Sequence, residues 1–287
     1  MQIATRITNK ITRLPVDLRL RKIRRSSKRR GANLRPYQAN IIMEIDRQVK
    51  FRGRKVLEIG GDLDGTTARG MMAAGAKSIV SINIDSKFDL NIKHKGIERR
   101  NMDARELDFP IESFDLVMGI AVLEHFHDFD VVLRRAFDSL VPGGYLYFQG
   151  GPLWHSAKGH HLVVEGRTGT KYHFANGPDP LDDWAHLLHD CKGMKQWLIE
   201  SRDIDPGDAD VIADYVYNSP LINRAKWKDI LRICHDSPFQ VAGYDLIEDK
   251  SPTSEQLEKL HRALGSASDQ TRQAALTVLL KKPNLEN

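Results

Sequence analysis

Cysteine is almost missing from this chain: Cys191 and Cys234 are the only two in 287 residues, and no Cys-x-x-Cys pair exists. That pattern argues against a disulfide framework and fits a reducing compartment. Long apolar runs are missing as well. The stretch Leu116–Leu123 is far too short to span a bilayer, and no signal-peptide apolar core lies near the amino terminus. A cytoplasmic location is the expectation. No H-E-x-x-H or equivalent metal spacing occurs, and no G-x-G-x-x-G, so a nicotinamide or flavin fingerprint is not matched. Internal repeats and low-complexity tracts are absent.

Acids are nearly absent from residues 1–35, where twelve Lys/Arg stand against the single acid Asp17. The whole chain has a net charge of +5, so all its positive excess sits in this basic arm and the remainder is net acidic. Ile3, Ile7, Ile11, Leu14 and Leu18 recur at helical spacing, with Pro15 interrupting the middle. Such a segment binds an anionic membrane surface or nucleic-acid phosphates, or packs one stripe on the domain. An Arg-rich, acid-poor leader is also the pattern of a mitochondrial transit peptide. Arg24–Arg30 carries no interleaved aromatics, which disfavours base stacking there. Over the whole chain, 41% hydrophobic and 28% charged residues are ordinary for a globular protein.

The most informative stretch is Val56–Gly65, Val-Leu-Glu-Ile-Gly-Gly-Asp-Leu-Asp-Gly, a strand entering a glycine-rich turn and then a helix from about Thr66 to Ala74. A backbone turn of this kind, with helix N–H groups aimed at it, suits a nucleotide-like ligand. Ser78–Asp85 reads as a second strand, and Asn83 and Asp85 share a face. Asn101–Ala104, Phe114–Phe126 and Leu140–Phe148 continue the series. Strands alternating with helices predict a doubly wound, mostly parallel α/β sheet, with polar strand ends forming the ligand edge.

This ordered set resembles the class I S-adenosylmethionine-dependent methyltransferases, in particular the small-molecule group with Leu-Glu-His after the fourth strand and Pro-Gly-Gly entering the fifth. The resemblance covers about residues 54–150 plus the final strands and implies a seven-stranded Rossmann-like sheet with S-adenosylmethionine as cofactor. By position it implies that Glu58, Gly60 and Gly61 surround the methionine part of the cofactor, with Gly65 also among the cofactor-binding residues. Asn83, with Asp85 two places on, would take the ribose. Asp103 would accept from the adenine amino group beside Ala104, and Gly119 would lie near the methionine end. Two departures stand out: Asp62 and Asp64 displace the usual second and third glycines, and Asn83 stands where the ribose acid is expected. Relatives with Glu-x-x-Glu-His hold magnesium, but Ala121 occupies the first acid position here, so no metal is carried over.

Residues 151–237 separate the fifth strand from a closing pair at Gln240–Glu248 and Ala274–Lys281. Leu181–Ile199, Pro206–Asn218 and Asn223–Asp236 read as helices there, so a helical acceptor-recognition insertion is expected inside a domain of residues 36–287. Trp154, His155, His160, His161, Tyr172, His173, Trp184, His186 and His189 crowd it. For any single histidine, packing or capping is the default role. His125 is the exception, since Leu-Glu-His places it beside the expected methyl donor. It is the first candidate general base, with His155 as reserve. The expected reaction is oxygen methylation of a polar small molecule, a sugar or glycan precursor. That acceptor rests on resemblance to bacterial methyltransferases with similar Gly-Pro-Leu-Trp and Gly-His-His segments. One alternative is an RNA-directed enzyme guided by the basic arm. Against it, the fourth strand ends Gly-Ile-Ala without the Asn/Asp-Pro-Pro-aromatic pattern of base N-methylating enzymes. The other alternative is a non-catalytic protein of the same fold. The oligomeric state is not encoded legibly.

Overall fold

The computed structural model describes residues 13–29, 33–92 and 94–284. Two helices, α1 (Arg13–Arg29) and α2 (Pro36–Val49), precede the sheet. Pro15 falls in the first turn of α1, where its missing N–H costs nothing, so it opens a helix that the sequence reading has it interrupt. Ile3, Ile7, Ile11 and Arg30 lie outside the described residues, as do the side chains of Leu14 and Leu18.

Strands β1 (Lys55–Ile59), β2 (Ser78–Asn83), β3 (Ile97–Asn101), β4 (Phe114–Ile120) and β5 (Leu140–Gly150) are parallel. Helices α3 (Thr66–Ala74) and α4 (Phe129–Ser139) lie in two of the connections. After β5 the chain leaves the sheet for a short hairpin, β6 (Val163–Glu165) and β7 (Lys171–His173). Four helices follow: α5 (Ala185–Leu188), α6 (Cys191–Arg202), α7 (Pro206–Asn218) and α8 (Trp227–Asp236). It returns as β8 (Gln240–Glu248), passes through α9 (Ser254–Leu264) and a 3-10 turn, and ends in β9 (Gln273–Lys281). The order across the sheet is β3-β2-β1-β4-β5-β9-β8, with β9 antiparallel to both its neighbours. This is the doubly wound, mostly parallel seven-stranded sheet that the sequence predicts.

The near-continuous apolar runs of β1 and β4 follow from burial on both faces. Val56, Leu116 and Met118 pack under α2 and α3, against Ile42, Ile45 and Met71. Leu57, Ile59 and Val117 point the other way, toward α4 and α8. Alternate residues of each strand thus feed opposite cores. The excursion after β5 has a third core of its own, built on Leu162, Tyr172, Met194, Leu198, Ile212 and Val216.

Two local expectations need correction. The helix predicted over Leu181–Ile199 is interrupted before α6, because Asp190 caps that helix, its Oδ1 accepting from Gly193 N at 2.7 Å. The helix predicted over Asn223–Asp236 begins only at Trp227, and the β6–β7 hairpin carries no expectation because three-residue strands leave no measurable period. At α7 the expected cap is present, with Asp205 accepting from Gly207 and Asp208 and Pro206 in the first turn.

Candidate active site

The carboxyl ends of β1 to β5 form one edge, and the polar groups collect there. Gly60 ends β1 at φ +72° and is exposed; a Cβ at that position would lie 2.6 Å from Val122 Cγ1, so both backbone and space demand glycine. Gly61 packs against Ser81 and Glu58, and Gly65 is the left-handed cap residue before α3. Glu58 is 3% exposed and accepts a 2.5 Å hydrogen bond from Ser81 Oγ. Burial, with the charge of Asp62 adding to it, pushes its carboxyl up to about 8.

The two acids that replace glycines turn into the helix. Asp62 Oδ2 accepts from Thr67 N at 2.9 Å, Thr67 Oγ1 at 3.1 Å and Gln38 Nε2 at 3.2 Å, while Asp64 Oδ1 accepts from Thr66 N at 3.0 Å. Both therefore cap α3, where negative charge meets the positive dipole end. The turn is braced from outside by Arg99 of β3, which the sequence reading missed. Its Nη2 donates to the carbonyls of Asp62 and Leu63 at 3.0 and 2.8 Å, its Nε to Asp89 O at 2.8 Å, and its plane stacks on Phe88. A charged side chain buried in the middle of a short strand was the available signal.

At the end of β2, Asn83 Nδ2 donates to Gly61 O at 2.8 Å and its Oδ1 accepts from Asp85 N at 2.9 Å, so Asn83 also ties the glycine turn down. Ile84 between them is 66% exposed, an apolar surface on a polar edge that suits the face of a base. At the end of β3, Asp103 accepts from Arg105 N, and its carboxylate pairs with the Arg105 guanidinium at 2.7 Å, which holds its pKa below the usual carboxylate range. Ala104 is buried beside it. Gly119 is buried within β4, where a Cβ would meet Val122, the Ile59 carbonyl and Phe148.

Beyond β4, Ala121 turns at φ +55° and the chain runs through Leu123-Glu-His-Phe-His127. A segment of the excursion holds this loop. Leu221 O meets His125 Nδ1 at 2.6 Å, and Pro220 O meets His127 Nε2. Asn223 Nδ2 donates to the carbonyls of Leu123 and Phe126 at 2.6 and 2.9 Å, and Asn223 N donates to Glu124 O at 2.9 Å. A carbonyl only accepts, so His125 Nδ1 carries a proton and the neutral ring has its lone pair on Nε2. The His125 side chain is 45% exposed.

The structure brings His125 together with His161 rather than with His155. The His125 and His161 rings meet edge to face at 5.8 Å. His155 is buried; its charged neighbours are Lys226, Asp229 and Asp269, and burial pushes its pKa down to about 4. Burial likewise takes His161 to about 4, His160 to about 3 and His186 well below the usual value. His160 accepts from Leu162 N, and His186 Nε2 meets Trp154 O, so these two serve the packing of the excursion. No three His, Cys, Asp or Glu side chains converge as a metal site among the described residues. An open recess of about 1230 Å³ lies within the β8–β9 connection, lined in part by Glu248, His261, Arg262 and Arg272, and none of the edge residues lines it.

Gly60, Ile84, Asp85, Asp103 and His125 thus leave polar and apolar contacts open along four adjacent strand ends, as an extended ligand with a flat base at one end requires. Carboxylates, not bare N–H groups, occupy the start of α3. That excludes a phosphate cradle of the nucleotide-binding type and suits a ligand with positive charge. The residues present fit S-adenosylmethionine, whose sulfonium and ammonium are cations.

A family model described as "Methyltransferase domain" matches residues 57–148. The Ubiquinone biosynthesis O-methyltransferase of Pseudomonas fluorescens (strain Pf0-1) is 30% identical over 113 residues, covering 36% of this chain and 47% of that protein. The chain therefore spans about half the length of the curated relative it matches. An S-adenosylmethionine-dependent methyltransferase structure from Mesorhizobium loti shares the fold at a TM-score of 0.50 and 15% identity, covering 85% of this chain and 97% of that one. The (4+2)-cyclase SpnF shares it equally, at 0.50 and 12%, covering 85% and 81%. The fold is thus common to different chemistries, and the assignment rests on the motif-bearing segment. Residues 57–148 are thus similar to a methyltransferase domain, carried on the fold that the Mesorhizobium loti S-adenosylmethionine-dependent methyltransferase also has.

Proposed function

We propose that the chain transfers a methyl group from S-adenosylmethionine to a hydroxyl of a polar small molecule, a sugar or glycan precursor. The observation that carries the reading is the pair Asp62 and Asp64 at the end of the glycine turn, which favours a cationic ligand over a phosphate at the start of α3. When bound there, S-adenosylmethionine supplies a methyl group activated by its sulfonium. Asp103 accepts from the adenine amino group, Ile84 covers the base, Asn83 and Asp85 meet the ribose hydroxyls, and the Gly60–Gly61 backbone admits the methionine part.

His125 is the base of this reading. Its pinned Nδ1 directs a lone pair from Nε2, and a base of this kind contributes about 10²–10⁴-fold when the acceptor is a hydroxyl. Oxygen as the receiving atom is also in keeping with the relative's name, an O-methyltransferase. The excursion between β5 and β8 forms the acceptor wall, with His155 beneath it in a supporting position. A cytoplasmic enzyme held at an anionic surface through α1 completes the proposal.

The test has two stages. Calorimetry should show binding of S-adenosylmethionine and of its demethylated product; no binding leaves only a non-catalytic role. Radiolabel transfer into fractionated extract should then mark the small-molecule or glycan pool. Label in the RNA pool instead would favour an RNA-directed enzyme using the basic arm.

A further inference from the structure

Glu124 is placed at odds with its chemistry. It stands in the loop after β4 beside the exposed His125, yet it is 2% exposed, and its Oε2 has no hydrogen-bond partner. Its Oε1 sits 4.0 Å from His125 Nε2 and 3.9 Å from His161 Nε2, so one carboxylate is shared by two imidazoles from different parts of the chain. His161 comes from the excursion, is held at φ +49° against Phe174, and leaves its own Nδ1 buried without a partner. Gly150 ends β5 directly against Glu124 Oε2, where any Cβ would displace the carboxylate. A buried carboxylate with no cation beside it is costly, and a neighbouring imidazolium relieves that cost.

We propose that Glu124, His125 and His161 form one proton-sharing unit, in which His125 Nε2 takes the proton of the acceptor hydroxyl and Glu124 stabilises the imidazolium so formed. This inference rests on the hydroxyl-methylating reading above. The acceptor O–H bond breaks toward His125, an oxygen lone pair forms the O–CH3 bond, and the methyl–sulfur bond breaks with its electrons going to sulfur. The sulfonium charge is thereby lost, and the proton on His125 is released to solvent through its exposed side. Glu124 acts through His125 and is a positioning residue. His161 approaches the same carboxylate oxygen beside His125 and remains neutral, because its burial disfavours a second cation. The titratable groups facing Glu124 are His125 on its own loop and His161 from the excursion; the neighbours from β5 and the β4 loop are Gly150 and Leu123. Leu221, Pro220 and Asn223 fix the geometry, so the part of the chain that walls the acceptor also sets the base.

The test is a pH titration of the full chain labelled with 15N-histidine and 13C-glutamate. In the wild-type protein the Glu124 carboxyl carbon and the His125 ring should move through a shared transition, as strongly interacting sites do. In folded Glu124→Gln protein the His125 ring should lose the step it shares with Glu124. His161→Gln should shift the Glu124 carbon's midpoint while His125 keeps its Nδ1–H tautomer. Independent wild-type transitions, or an unchanged His125 curve in folded Glu124→Gln protein, would overturn the unit. The wild-type titration decides the matter even where a variant does not fold. Calorimetry with S-adenosylmethionine separates the two readings. A shared transition without cofactor binding keeps the unit and removes methyl transfer, whereas binding without a shared transition does the reverse.

Discussion

The Asp103 carboxylate, proposed above to meet the adenine amino group, already holds Arg105 and starts a 3-10 turn. Asp103→Ala should weaken S-adenosylmethionine binding by roughly 1.5–3 kcal/mol, the loss of a hydrogen bond to a charged acceptor, as read by calorimetry. A parallel melting curve separates that loss from the lost cap, which contributes about 1 kcal/mol. Glu58 gives a pH prediction with a definite sign. Its folded pKa is raised from 4.5 to about 8, so between those values the native state keeps a proton that the unfolded state has released. Stability from this group is full below pH 4.5, declines as pH rises, and levels off above about pH 8. Glu58→Gln preserves the shape and can still accept from Ser81. Chemical unfolding across that window should show a flatter profile in the variant; parallel profiles would mean that Glu58 ionises normally in the folded state.

Among the elements, the loop after β4 owes its shape to a distant partner. Asn223→Ala removes two donors from the carbonyls of Leu123 and Phe126, at a cost of about 1–3 kcal/mol. Hydrogen exchange at residues 123–127 should accelerate in that variant while β1 and β4 stay protected; equal protection would show the loop to be rigid without its clamp. This contact also marks where the sequence stopped being readable. The strands were legible because β1, β2, β4 and β5 carry long apolar runs, and β8, α9 and β9 were found close to their observed bounds by pattern and spacing. The glycine turn, Asp103 and His125 were legible because their positions follow directly from strand ends. Asn223 lies about a hundred residues from the carbonyls it serves and bears no local mark, and His161 was one histidine among several. Glu124 stood inside the recognised Leu-Glu-His, but its burial comes from Gly150 and the excursion, which no periodicity encodes. The two glycine-replacing acids looked like a damaged motif in the sequence, and only their hydrogen bonds to Thr66 and Thr67 identify them as caps.

For the molecule as a whole, the basic arm is not a detachable tail over its described length. Helix α1 lies against α3, and Ile23 is buried in the same core as Leu34, Ile42 and Met71. Deleting residues 1–30 would therefore disturb the domain as well as its charge. The cleaner variant replaces the exposed Arg21, Lys22, Arg24, Arg25, Lys28 and Arg29 with Gln. Melting temperature and cofactor affinity should hold, while binding to anionic vesicles or RNA falls and loses its salt dependence. Unchanged vesicle and RNA binding would show the arm to be only a solvated face. The position of β9 bears on how the molecule is made. It follows every other described element in the chain, yet it lies between β5 and β8, and its own Ala274 O accepts from Leu153 N at the root of the excursion. During synthesis β5 and β8 thus wait as two open edges until the stretch from Gln273 to Lys281 clears the ribosome tunnel. A nascent chain stopped short of that stretch should be captured by chaperones and digested readily at the excursion, whereas one extended past it by a tunnel's length should become protected in a single step.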